Sequence, residues 1–216
     1  MLMPASGEET KIALVRAAET LMAGHGTAGV SLREVNRAAG QANASALQYH
    51  FGGRDGLVRA IFAKHRPAIE AERHALLDAY EYAGVRDLRL LSGALVAPLA
   101  SKLRDGDGGR AYLQVAAEVV NRPDPERVRI TNDDPSDSTN RWRHLLEPML
   151  DPDAMTIFHT RFTAIRIAHT ELARRAAARP RRDDRLFTSR LVDLVTALVA
   201  TPLSAETAAL LAEGRR

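Results

Sequence analysis

The sequence predicts an all-α protein of about nine or ten helices, and three observations carry that expectation. Apolar residues recur at three- and four-residue steps through most of the chain, the period of an amphipathic helix. No segment alternates apolar and polar residues as a half-buried strand would. Capping residues, glycines and prolines cut the chain at intervals that suit helices of ordinary length. The 216 residues are enough for one or two domains with a sizeable core.

The first helix is expected over 8–25, where Ile12, Leu14, Val15, Ala18, Leu21 and Met22 share a face and Gly24 and Gly26 bracket the end. Ser31-Leu32-Arg33-Glu34 has the form of a capping box, with Ser31 accepting from the backbone of the third helical residue and Glu34 reaching back. That helix stops at Gly40. A short helix over about 43–49 runs into His50-Phe51-Gly52-Gly53, and a long one starts near Arg54 and reaches about Tyr82, with a kink expected at Pro67. Beyond Gly84, helices are expected at 85–104 and 110–120, then a loop rich in Pro and Asp to about Asp137. A helix holding Trp142 ends near Leu150. Two longer helices follow, about 153–178 and 184–200, joined by a basic link containing Pro180, and a last short one spans about 204–213.

Composition narrows the chemistry. The chain has no cysteine, which excludes disulfides, thiolate metal sites and cysteine nucleophiles and fits a reducing compartment. The most apolar run, Leu191 to Leu203, is interrupted by Asp193 and Pro202 and is shorter than the roughly 18 apolar residues of a membrane helix. No secretory signal is legible at the start. A soluble, cytoplasmic protein is expected. The formal charge of +3 is unevenly placed: residues 1–66 hold eight Lys/Arg against five acids, leaving 22 of each sign in the rest. The whole excess therefore sits in the amino-terminal third, where a phosphate-binding module would need it.

Catalytic and metal constellations are missing. Histidines 65, 74, 144, 159 and 169 show no pairing at four-residue spacing, and neither G-x-S-x-G nor a Walker loop occurs. Asp105-Gly106-Asp107-Gly108-Gly109 offers oxygen ligands but lacks the later acids of a calcium loop, and reads as a flexible turn. No enzyme activity, cofactor or metal is expected.

Three short helices with a tight turn at Gly40 have the form of a helix-turn-helix, whose third helix enters the major groove. Leu32, Val35 and Ala39 form the inner face of the supporting helix. The reading helix carries Asn43, Ser45 and Gln48, and Asn and Gln are the side chains that bond adenine bidentately. The same residues carry a family resemblance. Ser31-Leu32-Arg33-Glu34-Val35, then Ala39-Gly40, then Leu47-Gln48-Tyr49-His50-Phe51-Gly52-Gly53-Arg54-Asp55-Gly56-Leu57 resembles the tetracycline-repressor (TetR) family signature over roughly residues 10–62. Asn36, where the family has a small alanine, and Gly53, where it has a serine cap, depart from that pattern.

The resemblance implies phosphate contacts for Thr27 and Ser31 ahead of the second helix, for Tyr49 and His50 at the end of the reading helix, and for Arg54 at the start of the fourth. Each has a plainer alternative. Tyr49 and Phe51 are equally readable as core, His50 as a helix-end cap, Arg33 as a salt-bridge partner rather than a DNA contact, and Gln48 as an ordinary exposed amide.

The resemblance further implies a DNA-binding domain over residues 1–54 and a helical effector-binding and dimerisation domain over 55–216. Phe158, Phe162, Ile165, His169 and Leu172 form one stripe, and Leu191, Leu194, Val195 and Leu198 a second. Either these close the protomer's own core, or they pair with a second copy in a four-helix bundle as in the resembled family. Tyr80, Tyr112, Trp142, His144 and His159 are polar-tipped candidates for lining an effector pocket. The expected function is a homodimeric repressor, released from a near-palindromic double-stranded DNA operator by an unknown small molecule. The alternatives are a DNA-binding regulator without a ligand, or an activator. No membrane partner is expected.

Overall fold

A computed structural model describes residues 7–41, 46–122, 137–151, 153 and 160–214, and among them it contains ten α-helices, two short 3₁₀ turns and no strand. We number the helices α1 (Gly7–His25), α2 (Leu32–Ala38), α3 (Ala46–Phe51), α4 (Arg54–Ala83), α5 (Leu88–Ala100), α6 (Gly109–Val120), α7 (Ser138–Leu146), α8 (Thr160–Ala177), α9 (Arg185–Ala200) and α10 (Ala205–Gly214). Among the described residues no single helix is long and apolar enough to cross a membrane; α9 and α10 reach that length only together, across a 49° bend.

Local chemistry accounts for the ends of these elements. The capping box at α2 is complete: Ser31 Oγ accepts from Glu34 N at 3.2 Å and Glu34 Oε2 accepts from Ser31 N at 2.8 Å. Asp87 caps α5 and Asp137 caps α7, each carboxylate accepting from two backbone N–H groups. The C-terminal carbonyls of α8 are collected by one guanidinium, since Arg110 Nη2 donates to the carbonyls of Arg175, Ala176 and Ala178. The basic link after α8 is pinned by a buried pair, Arg175 Nε to Asp184 Oδ1 at 2.7 Å.

Helix α4 runs unbroken through Pro67 for 30 residues, so the expected kink does not end the helix. Its inner stripe repeats every four residues: Leu57, Ile61, His65, Ile69, Arg73 and Leu77 are all buried. Two members of that stripe are ionisable. Arg73 is explained in part by a proline in the neighbouring helix α5. Pro98 within α5 has no N–H, so the carbonyl four residues earlier, on Ala94, loses its helical donor. Arg73 Nε supplies the bond instead, at 3.2 Å, while its Nη1 donates to Ser138 Oγ at 2.8 Å and Thr139 Oγ1 at 3.0 Å. One buried side chain thus ties α4 to α5 and α7.

The apolar core is continuous from Leu14 in α1 to Val199 in α9. Leu57 and Ile61 at the start of α4 are fully buried and belong to the same cluster as Leu14, Val35 and Leu47. Trp142 fills the centre behind them with no exposed surface, its Nε1–H donated to the Leu91 carbonyl at 2.8 Å.

Candidate nucleic-acid interface

The turn between α3 and α4 sets the direction of the third helix, and it is built from glycines for a steric reason. Gly53 sits at φ 120°, a left-handed conformation that side chains oppose. A Cβ on Gly56 would lie 1.7 Å from the Phe51 carbonyl oxygen. The φ at Gly53 disfavours the serine cap of the resembled pattern, and the helix starts without a side-chain cap.

This turn leaves α3 with a divided surface. Leu47 points inward and is fully buried, and Phe51 is half-buried against the core. Gln48 is exposed, and Tyr49 is 85% exposed, so the core alternative for Tyr49 is not realised. His50 is half-buried with its ring edge-on to Tyr49, centroids 5.0 Å apart. Arg33 on α2 is exposed and, among the described residues, enters no ion pair. Ser31 is exposed with its oxygen engaged in the capping box. Asn43 and Ser45 lie outside the described residues.

Two of the expected phosphate contacts are differently engaged. Thr27 is fully buried: its N–H donates to Glu118 Oε2 at 2.7 Å, its hydroxyl donates to Glu118 Oε1, and Arg122 Nη2 donates to the hydroxyl oxygen. In this conformation Thr27 faces the end of α6 and not solvent. Arg54, half-buried, donates through Nη1 to the Thr27 carbonyl. Burial acts to raise the Glu118 carboxyl pKa, but the Thr27 hydroxyl and N–H and the Arg122 guanidinium outweigh it and hold the group below its ordinary value.

A second contact ties α1 to the rest. Glu19, 1% exposed, accepts from Lys64 Nζ at 2.7 Å and meets His65 Nε2 at 2.6 Å. The loop before α6, read from sequence as a flexible turn, is instead clamped to these groups. Asp107 pairs with Arg16 and Lys64, Asp105 with Lys102 at 2.9 Å, and a Cβ on Gly108 would fall 2.4 Å from Glu19 Oε2. Hydrogen bonding from Lys102 holds the Asp105 carboxyl below its usual range.

The candidates for pocket and interface separate by burial. Trp142 and Tyr112 are core residues, Tyr80 is half-buried with its hydroxyl on Met149 Sδ at 3.4 Å, and His144 is exposed on the far side of α7 from Trp142, which removes it from any interior site. An open groove of about 860 Å³ lies between α4, α5 and α9, with Tyr80, Leu76, Leu90 and Arg89 among its walls. Of the two apolar stripes, Leu172, Leu191 and Val195 are buried within the protomer and are not available to a partner. Leu194 is 51% exposed, Phe162, Ile165, His169 and Leu198 are half-buried, and Leu186, not singled out from sequence, is 77% exposed on the same outer side of α9 as Leu194. Phe158 and His159 lie outside the described residues.

A short polar helix turned outward behind a capped second helix, in the basic third of the chain, is what a DNA-reading helix-turn-helix protein requires. Comparison of sequences narrows the class. Residues 14–61 match the family described as bacterial regulatory proteins, tetR family. Among solved structures, one described as a proposed transcriptional regulator from Streptomyces coelicolor A3(2) is 21% identical, covers 89% of this chain and 99% of its own, and superposes with a TM-score of 0.48. No curated protein matches the chain significantly.

Proposed function

We propose that the protein is a homodimeric repressor that leaves a near-palindromic operator when a small molecule binds within helices α4–α9, with residues 1–54 as the reading domain and residues 55–216 as the sensing and pairing domain. The observation that carries this reading is the tie between Glu118 on α6 and Thr27 in the α1–α2 turn, 91 residues apart in sequence. A ligand that displaces α6 acts directly on the segment from which α2 departs, and a coupling of this kind needs two arrangements of one contact rather than a change of fold.

Gln48, Tyr49, His50, Arg33 and Ser31 form the proposed DNA face, with Arg54 joining it once its bond to the Thr27 carbonyl is released. Leu186, Leu194 and Leu198 on α9 and Phe162 on α8 form the proposed pairing face. A two-fold dimer would hold its reading helices roughly 34–36 Å apart, over successive major grooves.

Genome-wide recovery of bound DNA followed by footprinting tests the reading. Two protected half-sites one helical turn apart are expected, and Gln48→Ala is expected to relax base preference while general DNA affinity is retained. A single unpaired half-site would refute the dimer, and an unaltered sequence profile would remove Gln48 as a reader.

A further inference from the structure

Residues 174–185, the end of α8 and its link to α9, hold six arginines against two aspartates. That local excess of positive charge is larger than the one over residues 1–66, in far fewer residues. Both aspartates are already engaged. Asp184, 5% exposed, turns inward onto Arg175 Nε at 2.7 Å, and Asp183 accepts from Arg185 Nε at 2.8 Å and pairs with Arg104 Nη2 at 3.2 Å. Arg179, Arg181 and Arg182 are exposed, and among the described residues their guanidinium groups make no ion pair or hydrogen bond. The backbone beneath them is nevertheless fixed. The Arg175–Asp184 pair closes the link at its base, Arg175 Nη1 donates to the Arg179 carbonyl at 3.0 Å, and Arg110 holds the carbonyls of Arg175, Ala176 and Ala178. Pro180 restricts the chain between Arg179 and Arg181. Three unpaired cations therefore stand on a framed loop.

A chain of contacts gives the level of this loop in the body. Helix α4 leaves the reading domain at Arg54, and Lys64, about three turns along, reaches Glu19 of α1 at 2.7 Å. The loop before α6 meets the same place, Asp107 pairing with Arg16 of α1 at 3.2 Å and with Lys64 at 3.4 Å. Arg104, which pairs with Asp183 of the link, precedes Asp107 by three residues, a reach of at most about 11 Å. From there α9 runs the other way: Asp193 pairs with Arg89 at 2.9 Å, near the start of α5 and the far end of α4. The link thus lies at the end of the body next to α1.

We propose that the α8–α9 link is a second phosphate-binding surface, on which Arg179, Arg181 and Arg182 hold the backbone of duplex DNA outside the groove entered by α3. The proposal rests on the DNA-binding reading above and adds to it a contact without sequence preference, one that positions the duplex and leaves base choice to α3. Like charges this close repel one another, and a polyanion with regularly spaced phosphates relieves that repulsion while releasing its own counterions. Guanidinium groups suit phosphate oxygens because each presents paired donors in a planar fork. A lipid surface fits less well: residues 179–184 carry no apolar side chain larger than proline to insert among acyl chains.

The test titrates the full-length protein into a labelled duplex of mixed sequence, about 40 base pairs long, over roughly 50–200 mM salt. Arg181→Ser is expected to lower the slope of log affinity against log salt by roughly one, and serine at 179, 181 and 182 together by about three. Lysine at the same three positions keeps the charge and should keep most of the slope. Thermal midpoints should stay in place for all of these variants, because the side chains removed bond nothing in the protein. Arg86→Ser removes one exposed charge at the far end of α4 and should leave the slope as it is. An unchanged slope in the triple serine variant overturns the proposal. So does an equal drop with Arg86→Ser, which would reduce the link to net charge, and so does link-dependent binding to anionic lipid vesicles but not to DNA. Tyr49→Ala judges the reading helix separately. Weaker binding in that variant alone leaves the reading helix and rejects the link; weaker binding in the link variants alone leaves the link and rejects α3. A wild-type protein that retains no duplex at low salt rejects both.

Discussion

Helices α1–α3 and helices α4–α9 place their polar side chains oppositely. In the first group the groups with recognition chemistry stand on the surface: Gln48 and Arg33 are exposed and Tyr49 projects almost wholly into solvent. In the second the groups with the most unusual environments are withdrawn from the surface, Arg73 and Tyr112 almost wholly buried and His169 half-buried. A protein that reads the edge of a duplex must present its donors outward on a rigid frame. One that senses a small molecule gains most by enclosing it, where a few hydrogen bonds are strong and water is excluded. The surface group is affected by salt and the interior group by packing, so the two should respond to mutation in different measurements.

The contrast is sharpest between one aromatic residue from each region. Trp142→Ala should cost about 3–5 kcal/mol in chemical denaturation, since a fully buried indole and its bond to Leu91 are lost. Tyr49→Ala should leave stability within about 0.5 kcal/mol while lowering DNA affinity. If the two variants were equally destabilised, the outward placement of α3 would be wrong.

A smaller effect tests the turn that aims α3. Gly53→Ser restores the residue of the resembled pattern, and a cap argument alone would have it stabilise α4. The φ of 120° opposes a side chain although there is room for a Cβ, so a loss of about 1–2 kcal/mol is expected in thermal unfolding. A gain would mean that the turn relaxes at no cost.

The smallest effect concerns the contact between the two regions. Glu118→Gln should weaken the tie to Thr27 by about 1 kcal/mol at neutral pH. Because the folded pKa of Glu118 is depressed, its contribution is present above the unfolded value and is lost as pH falls through the folded one. The thermal midpoints of wild type and Glu118→Gln should therefore differ at pH 7 and converge below about pH 4. A constant difference across that window would remove the carboxylate charge from the contact.

The reading region was legible because its constraints are local. Ser31 and Glu34 are three residues apart, Gly40 follows the helix that they cap, and the glycines at 52, 53 and 56 sit within one turn, so each requirement leaves a mark at short spacing. Helix positions in the body were legible for the same reason, from periodicity and caps. The body's chemistry was not. Trp142 and His144 look alike as polar-tipped neighbours, but two residues turn about 200° around a helix, so one is core and the other solvent. The bond from Glu118 to Thr27 spans 91 residues and has no local trace. Arg73 did leave one that passed unread: it stands at the inner position of the four-residue series Leu57, Ile61, His65, Ile69, Arg73, Leu77, where a cation needs an explanation.

Trp142 has a consequence of another kind. It is the chain's single tryptophan, and it lies in the body, one helical turn from the Thr139 hydroxyl that Arg73 holds. Intrinsic emission from this protein is therefore a one-site signal. It originates from an indole without solvent contact and changes when water reaches the packing behind α5 and α7, while helices α1–α3 contribute no indole emission. The molecule comes labelled in its packed body, and dark in the helices proposed to read DNA.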